Sequence, residues 1–365
     1  MRVGVPREIK DHEFRVGLTP AGAGALVAAG HEVRVQRAAG ERIGLADQAY
    51  RDAGAIVVPD AATAYEADLV VKVKEPQPAE LPLLRAGQAL FCYLHLAAAP
   101  AIARGLLDRG VTGIAYETVV SPSGGTPLLA PMSQIAGRLA IQAGMQALEM
   151  RHGGRGVLLS GVPGAAPGAV VVIGGGIVGA NAVRVAVGIG ARVTLLDRKA
   201  ERLKAFDDLY QGRLETRLAN AANIAECVAQ ADLVVSGVYV HGQRAPRLLT
   251  RALVRSMQRG AALVDVSIDQ GGIAETSRPT THADPFYVEE GVVHYCVTNM
   301  PAAVARTATA ALTEATLPYV LALAGRGVAE ALRADPGLAA GLNVAAGRVM
   351  HAGLAADLGE APARG

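Results

Sequence analysis

Several short stretches carry side chains suited to holding a small charged molecule and moving protons on it. Asp68-Leu69-Val70-Val71-Lys72-Val73-Lys74-Glu75-Pro76 alternates so that Lys72 and Lys74 share one strand face, with Lys74 at the strand's end. A lysine or arginine there can hold a carboxylate. Phe91-Cys92-Tyr93-Leu94-His95 puts an imidazole at the end of an apolar strand, where histidine can exchange a proton near neutral pH. On position alone each cation reads more readily as an ordinary surface charge, and His95 equally as a hydrogen-bonded strand terminus. Further on, Ala262-Leu263-Val264-Asp265-Val266-Ser267-Ile268 ends in Asp269-Gln270-Gly271-Gly272. A carboxylate before two glycines at the end of a parallel strand reads either as a site facing an interdomain cleft or as a turn or helix cap.

A different chemistry is written around residue 174. Val170-Val171-Val172-Ile173 runs directly into Gly174-Gly175-Gly176-Ile177-Val178-Gly179 and then into helix-like Ala180-Asn181-Ala182-Val183-Arg184-Val185-Ala186. In this pattern Gly174 permits a tight turn, Gly176 lets the backbone approach a pyrophosphate, and Gly179 lets helix pack close to strand. The following helix N-terminus offers N–H groups and a positive dipole end. The chain has 43 glycines, so the spacing alone says little; the strand before and the helix after give it meaning. A second strand, Arg192–Leu196, ends at Asp197, whose carboxylate can accept from ribose hydroxyls and repels a 2′-phosphate. NAD is therefore favoured over NADP, although the adjacent Arg198 is a cation able to host that phosphate. The first strand, Met1–Pro6, has no such turn after it; Arg7-Glu8-Ile9-Lys10-Asp11-His12-Glu13-Phe14-Arg15 is charged instead. A charged loop at the carboxyl end of a parallel strand is where such sheets place ligand groups. The chain thus reads as dividing labour, the first domain for a small charged substrate and the second for a cofactor.

The elements that must position these groups follow from apolar periodicity. Strands are expected near Arg2–Pro6, Glu32–Gln36, Ala55–Val58, Asp68–Val73, Ala89–Leu94 and Gly113–Tyr116, then near Ala169–Ile173, Arg192–Leu196, Leu233–Gly237, Ala262–Ser267 and Val293–Val297. Runs apolar on both faces and separated by helix-length segments indicate parallel sheets covered on both sides. The expected fold is α/β: two doubly wound, Rossmann-like parallel-sheet domains joined by long helices. A turn-forming cluster, Ser121-Pro122-Ser123-Gly124-Gly125-Thr126-Pro127, marks the boundary, and a helix from about Met132 to Arg151 carries the chain across. Asn299 and Pro301 look like a helix start, and the helix from Ala302 to about Gly325 is expected to return to the first domain. The substrate domain is then residues 1–126 plus 305–365, and the cofactor domain residues 127–304.

With 365 residues, 51% hydrophobic and 19% charged, the chain can bury two cores. A net charge of +2, with no long run of either sign, gives no support to nucleic-acid or membrane-surface binding. Cys92, Cys227 and Cys296 lie far apart and are odd in number, which argues for reduced thiols in a cytoplasm and against a disulfide framework or a metal site. The N-terminus does not read as a signal peptide. No charge occurs between Arg155 and Arg184, but Pro163, Pro167 and the glycines break that run into strand and turn, not a membrane helix.

Taken together, these pieces resemble the alanine dehydrogenase family over nearly the whole chain. The resemblance runs through Val5-Pro6-Arg7-Glu8-Ile9-Lys10 with Glu13-Phe14-Arg15-Val16, Lys72-Val73-Lys74-Glu75-Pro76, His95-Leu96-Ala97, Met132-Ser133 with Ala136-Gly137-Arg138, and Gly161-Val162-Pro163-Gly164. It continues through the glycine turn with Asp197, Ile268-Asp269-Gln270-Gly271-Gly272, Ser277-Arg278-Pro279-Thr280-Thr281 and Asn299-Met300-Pro301. The family implies NAD-linked, reversible oxidative deamination of L-alanine to pyruvate and ammonia by a homohexamer. By this resemblance, Arg15 and Lys74 hold the substrate carboxylate or carbonyl. His95 is the acid/base at the reacting oxygen or nitrogen, and Asp269 assists the water and amine steps on the imine. Ser133, Asp197, Arg202, Val238 and Val297–Met300, including Asn299, match nucleotide-contacting positions. The expected cofactor set also includes Gly174, Gly176, Ile177, Val178, Gly179, Tyr239, Val266, Ile268 and Arg278. Two departures stand out: Ala219 where the family often has serine, and His241 where many members have proline.

Two relatives and one unrelated class compete. The nucleotide-binding subunit of a proton-translocating transhydrogenase shares the two-domain body but has no need of the Arg15, Lys74 and His95 set, and its system carries membrane helices that this sequence does not show. Saccharopine or lysine-type dehydrogenases act on a much larger substrate. A non-catalytic NAD(H)-binding protein would bind NADH without turnover.

Overall fold

The computed structural model describes residues 1–238 and 245–359. The chain divides into two compact units: Met1–Met132 with the chain from Val304 onward, and Ser133–Ala303. The division falls within the first turns of a helix, Ala130–Ala147, that starts two residues earlier than the sequence pattern suggests and stops four residues sooner.

The first unit is wound around strands β1 (Arg2–Val5), β2 (Glu32–Gln36), β3 (Ile56–Val58), β4 (Leu69–Val71), β5 (Ala89–Cys92) and β6 (Thr112–Ala115). They lie parallel in the order β3-β2-β1-β4-β5-β6, so the winding reverses between β1 and β4. Every residue of β4 and β5 is buried, the pattern of parallel strands covered on both faces. The first helix, Pro20–Ala28, has proline at its first position and is capped by the Thr19 side chain, which accepts from the Gly22 N–H.

The second unit holds β7 (Ala169–Ile173), β8 (Arg192–Asp197), β9 (Glu215–Leu218), β10 (Leu233–Ser236), β11 (Ala262–Asp265), β12 (Phe286–Glu289) and β13 (Val292–Tyr295). Their order is β12-β13-β11-β10-β7-β8-β9, reversing between β7 and β10. The helix Ala305–Arg326 then belongs to the first unit and buries Ala308, Leu312, Val320 and Leu323. Thr309 Oγ1 on this helix accepts from the Val16 N–H. A closing hairpin, β14 (Leu342–Ala345) and β15 (Arg348–Val349), extends the first sheet beyond β6.

The architecture is thus the expected pair of doubly wound α/β units, with antiparallel edges that the sequence reading did not anticipate. β12, β14 and β15 pair antiparallel, and β9 is an edge strand reading Glu-Thr-Arg-Leu, too polar to signal itself. Beyond these edges, β4 ends at Val71, though the Lys72 N–H still donates to the Phe91 carbonyl and the Val73 carbonyl accepts from the Tyr93 N–H, so Lys72 and Lys74 sit at the end of the ladder. They do not share one environment: Lys72 is fully buried and Lys74 half-buried.

Among the described residues no helix is long and apolar enough to cross a membrane, and no three His, Cys, Asp or Glu residues gather where a metal could be held.

Candidate active site and nucleotide site

In the first unit the candidate residues gather where the winding reverses, the position at which doubly wound sheets bind ligands. The loop after β1 and the loop after β4 are stitched together by Glu8. Its Oε1 accepts from the N–H groups of Val73, at 2.7 Å, and Lys74, at 3.3 Å. Its Oε2 accepts from Lys72 Nζ at 3.0 Å, and Lys72 also donates to Glu80 Oε1 at 2.8 Å. Burial disfavours a bare charge, so this lysine is held protonated by its two carboxylates. Lys72 is therefore sealed among carboxylates, whereas Lys74 is half-buried near Tyr93.

Arg15 is only 2% exposed. Glu13 receives it as a fork, Nε donating to Oε1 at 2.7 Å and an Nη to Oε2 at 2.5 Å, while another Nη lies 3.1 Å from Met132 Sδ. Burial works against the charge, but Glu13 outweighs it and pushes the guanidinium further up. Such a bidentate partner locks the planar group in one orientation. Lys74 Nζ stands 5.9 Å from the centroid of the Tyr93 ring. The same ring stacks on His95, 5.8 Å between centroids with planes 5° apart.

His95 sits in a left-handed conformation, φ 44°, unusual for a residue with a side chain. Such strain persists only where surrounding contacts over-determine it. Here Glu117, on the turn following β6, accepts from the backbone N–H groups of Leu94 and His95, the latter at 2.6 Å. The imidazole is held below its usual range, down to about 3, by protein crowding first and then by Lys74, Lys10 and Arg15. Its side chain keeps 42% of its surface, so the direction of the shift is what matters: the resting ring is neutral and able to accept a proton. Glu13, Glu75, Glu117 and Tyr93 had no assigned role in the sequence reading. Glu117 stands 22 positions from His95, and no spacing rule links the two.

In the second unit, Gly174 has φ 95°, and a side chain there would stand 3.0 Å from the backbone of Gly237, the residue after β10. A Cβ on Gly179 would lie 1.8 Å from the Gly174 carbonyl oxygen. Only glycine fits either place. Gly176 caps the helix Ile177–Gly188 with no side-chain hydrogen bond, so its first-turn N–H groups are not met by a capping side chain. Half-buried Val178 and exposed Ile177 open that helix. Gly137 approaches Val178 so closely that a Cβ would meet its carbonyl at 2.1 Å, which brings Ser133, one turn earlier on its own helix, toward the same turn.

Asp197 ends β8, where it was expected, and is 5% exposed. Its Oδ2 accepts from the Gly175 N–H at 2.7 Å and from Arg202 at 2.8 Å; its Oδ1 accepts from the Lys199 N–H at 2.8 Å. Burial pushes the acid up, but these donors prevail and hold it below its ordinary value. Oδ1 takes the Lys199 N–H on one of its two lone pairs, which leaves the other able to accept a hydroxyl. Arg198 is exposed, and Ala219 donates its N–H to the Asp197 carbonyl. These groups fit a dinucleotide: glycines where the chain must yield to a pyrophosphate, an uncapped helix start, and an anchored acid for a ribose.

The remaining cofactor candidates lie on neighbouring loops of this unit. Val238 is half-buried beside Gly174, its carbonyl accepting from Ser267 Oγ. Tyr239, like His241, lies outside the described residues. Asp269 is exposed on a 3-10 turn, Val266–Gln270, because the strand expected to reach Ser267 stops at Asp265. That buried aspartate gathers the N–H groups of Ser267 and Ile273 and the hydroxyl of Ser277, at 3.2, 2.8 and 2.6 Å, drawing the Asp269 turn closed. Val266 is half-buried, while Ile268, Val297 and Met300 are buried, so the last three offer main chain rather than side chain. The Asn299 carbonyl lies 2.8 Å from His282 Nε2, and Arg278 packs 3.9 Å over the Tyr287 ring.

Comparison with known proteins agrees with this geometry. Residues 4–136 match the family model described as alanine dehydrogenase/PNT, N-terminal domain, and residues 140–352 match its C-terminal counterpart. The chain is 55% identical to an alanine dehydrogenase of Halomonas elongata, over 98% of this chain and 97% of that one. It is 50% identical to the Bacillus subtilis alanine dehydrogenase, over 98% and 95% of the two chains. A solved L-alanine dehydrogenase superposes with a TM-score of 0.96 at 51% identity, covering 98% of this chain and 99% of that one. A transhydrogenase from Sinorhizobium meliloti, at 23% identity and a TM-score of 0.80 over 96% and 99%, shares the fold.

Proposed function

The chain belongs to the alanine dehydrogenase/PNT family, and we propose on that premise that it catalyses the NAD-dependent, reversible oxidative deamination of L-alanine to pyruvate and ammonia. The observation that carries this reading is the cluster of Arg15, Lys74 and a neutral His95 at the winding reversal of the first sheet, in a chain that also bears a dinucleotide turn.

NAD supplies the hydride acceptor for the α-carbon. Hydride leaves that carbon only when the amine is unprotonated, so a base must first take the ammonium proton. His95, neutral at rest, is that base. Arg15 and Lys74 hold the substrate carboxylate or carbonyl, Glu13 orienting the Arg15 fork and Glu8 pinning the Lys74 backbone. Once the imine forms, water adds to its carbon, and the C–N bond breaks as nitrogen is protonated. Asp269 assists those water and amine steps. When the substrate carboxylate neutralises Lys74 and Arg15, it relieves two of the charges that depress His95, so the ring becomes a stronger base in the complex than in the free protein.

Gly174, Gly176 and Gly179 with Ile177 and Val178 are assigned to the pyrophosphate and Asp197 with Arg202 to the adenosine ribose. Ser133, Val238, Tyr239, Val266, Ile268, Arg278, Val297, Asn299 and Met300 complete the nucleotide contacts. The proposal extends to a homohexamer in the cytoplasm, supported by family resemblance and by Cys92, Cys227 and Cys296 standing as free thiols. Light scattering tests the assembly. The activity is tested by following NADH formation from L-alanine, then from other amino acids, with NAD and NADP compared. L-alanine and NAD should be the best pair; a protein that binds NADH but forms none from L-alanine would overturn the reading.

A further inference from the structure

Among the described residues, Glu75 Oε2 is the only buried side-chain oxygen or nitrogen without a hydrogen-bond partner. Glu75 is 8% exposed and stands immediately after Lys74. Its other oxygen, Oε1, is held by Lys10 Nζ, and its backbone carbonyl accepts from Gln77 Nε2 at 3.0 Å. The side chain is thus anchored at one oxygen while the other is bare. Buried carboxylate oxygens ordinarily collect donors, and an exception calls for an explanation.

The surroundings of Glu75 supply one. Burial pushes its carboxyl up, but Lys74 and Lys10 outweigh burial and keep it below the ordinary range, so it is a carboxylate. It acts electrostatically on His95, opposing Lys74, Lys10 and Arg15, while the Glu117 carboxylate stands 3.7 Å from His95 Nδ1 on another loop. Glu75 directly follows Lys74, whose Nζ stands 5.9 Å from the Tyr93 ring that stacks on His95 at 5.8 Å, so its bare oxygen lies in the neighbourhood of the residues proposed to hold and deprotonate the substrate. A zwitterionic amino acid brings an anionic end and a cationic end. Arg15 and Lys74 answer the first, and a neutral imidazole offers the second only a single acceptor nitrogen.

We propose that Glu75 is the amine-recognising residue of this site, its Oε2 accepting an N–H of the substrate ammonium, or of ammonia arriving in the reverse direction. The proposal rests on the amino-acid dehydrogenase reading above. Glu75 is proposed to bind the N–H, and the proton transfer stays with His95 as proposed above. Pyruvate has no N–H to offer, so Glu75 discriminates the amine without contributing to binding of the oxo acid.

The test is Glu75→Gln in the full chain, which keeps the shape and removes the charge. The wild-type protein is assayed first: absence of L-alanine turnover there would sink the parent reading alone. With turnover established, the variant should raise KM for ammonium at least about tenfold, with KM for pyruvate and Kd for NADH each within about twofold. An ammonium KM within about twofold of wild type, or a pyruvate KM that rises equally, would overturn the proposal. If Glu75→Gln does not accumulate folded, Glu75→Asp carries the test. A retained but withdrawn charge should raise the ammonium KM by about three- to tenfold, and an unchanged value would overturn the idea.

Discussion

The two units use one winding plan and treat its reversal in opposite ways. In the second, β7 and β10 part at a crevice lined by Gly174, Gly179 and Gly237, where side chains have been removed so that main chain meets main chain. In the first, β1 and β4 part at a crevice filled by charge: Glu8 joins both loops, Lys72 is buried between two carboxylates, and Arg15 is forked by Glu13. A pyrophosphate is long and multiply anionic and is best met by many weak backbone donors with a helix dipole. An amino acid is small and bears both charges, so it needs a few side chains of fixed position and sign. The winding supplies a place, and the volume and charge of the loops decide what can occupy it.

The comparison can be broken first at its charged end. Lys72→Met should leave Glu8 and Glu80 buried without their cation, at a cost of about 3–5 kcal/mol. Chemical denaturation would read this as an earlier transition, and a change below about 1 kcal/mol would mean the network is not what shapes the crevice. At the other crevice, Gly179→Ala drives a methyl into the Gly174 carbonyl. NADH binding should weaken at least about 100-fold, or about 2.7 kcal/mol, by fluorescence titration; near-normal affinity would refute the close-approach argument.

A smaller effect sharpens the cofactor choice. Asp197→Ala should lower the preference for NAD over NADP by about tenfold in kcat/KM, because the acid that repels a 2′-phosphate is gone while Arg198 and Arg202 remain. An unchanged ratio would place the discrimination elsewhere.

The smallest concerns pH. His95 has an ordinary value of 6.5 and is depressed toward about 3 in the fold, so between those values the unfolded chain binds more protons. Its contribution to stability is fully present above pH 6.5 and is lost as pH falls toward 3. His95→Gln should therefore show a shallower loss of stability than wild type over that window, read from denaturation midpoints. A steeper loss would reverse the sign assigned to His95.

Much of this was legible in the residues, and what was not has physical reasons. The central strands announced themselves because strands buried on both faces must be continuously apolar; β7, reading Ala-Val-Val-Val-Ile, lies where the pattern places it. The glycine turn was readable because all its parts are consecutive. Edge strands such as β9 and β12 need only one covered face and so carry no such signal. The charged crevice was harder still. Lys72 and Lys74 alternate as if equivalent, yet β4 ends before either, and one is sealed by Glu8, 64 positions away. Glu117 and Glu75 bear on His95 from separate loops, a relation that only the folded chain reveals. Local spacing reports what consecutive residues do together and is silent on pairs that the winding brings into contact.

If the two crevices divide the work, one holds the dinucleotide and the other handles protons on the amino acid, and the two roles can be separated. This division is tested most directly by His95→Ala, with NADH affinity and L-alanine-dependent NADH formation measured on the same preparation. NADH binding should stay within about twofold of wild type, and turnover should fall at least about 100-fold. Turnover close to wild type with NADH binding intact would contradict the division.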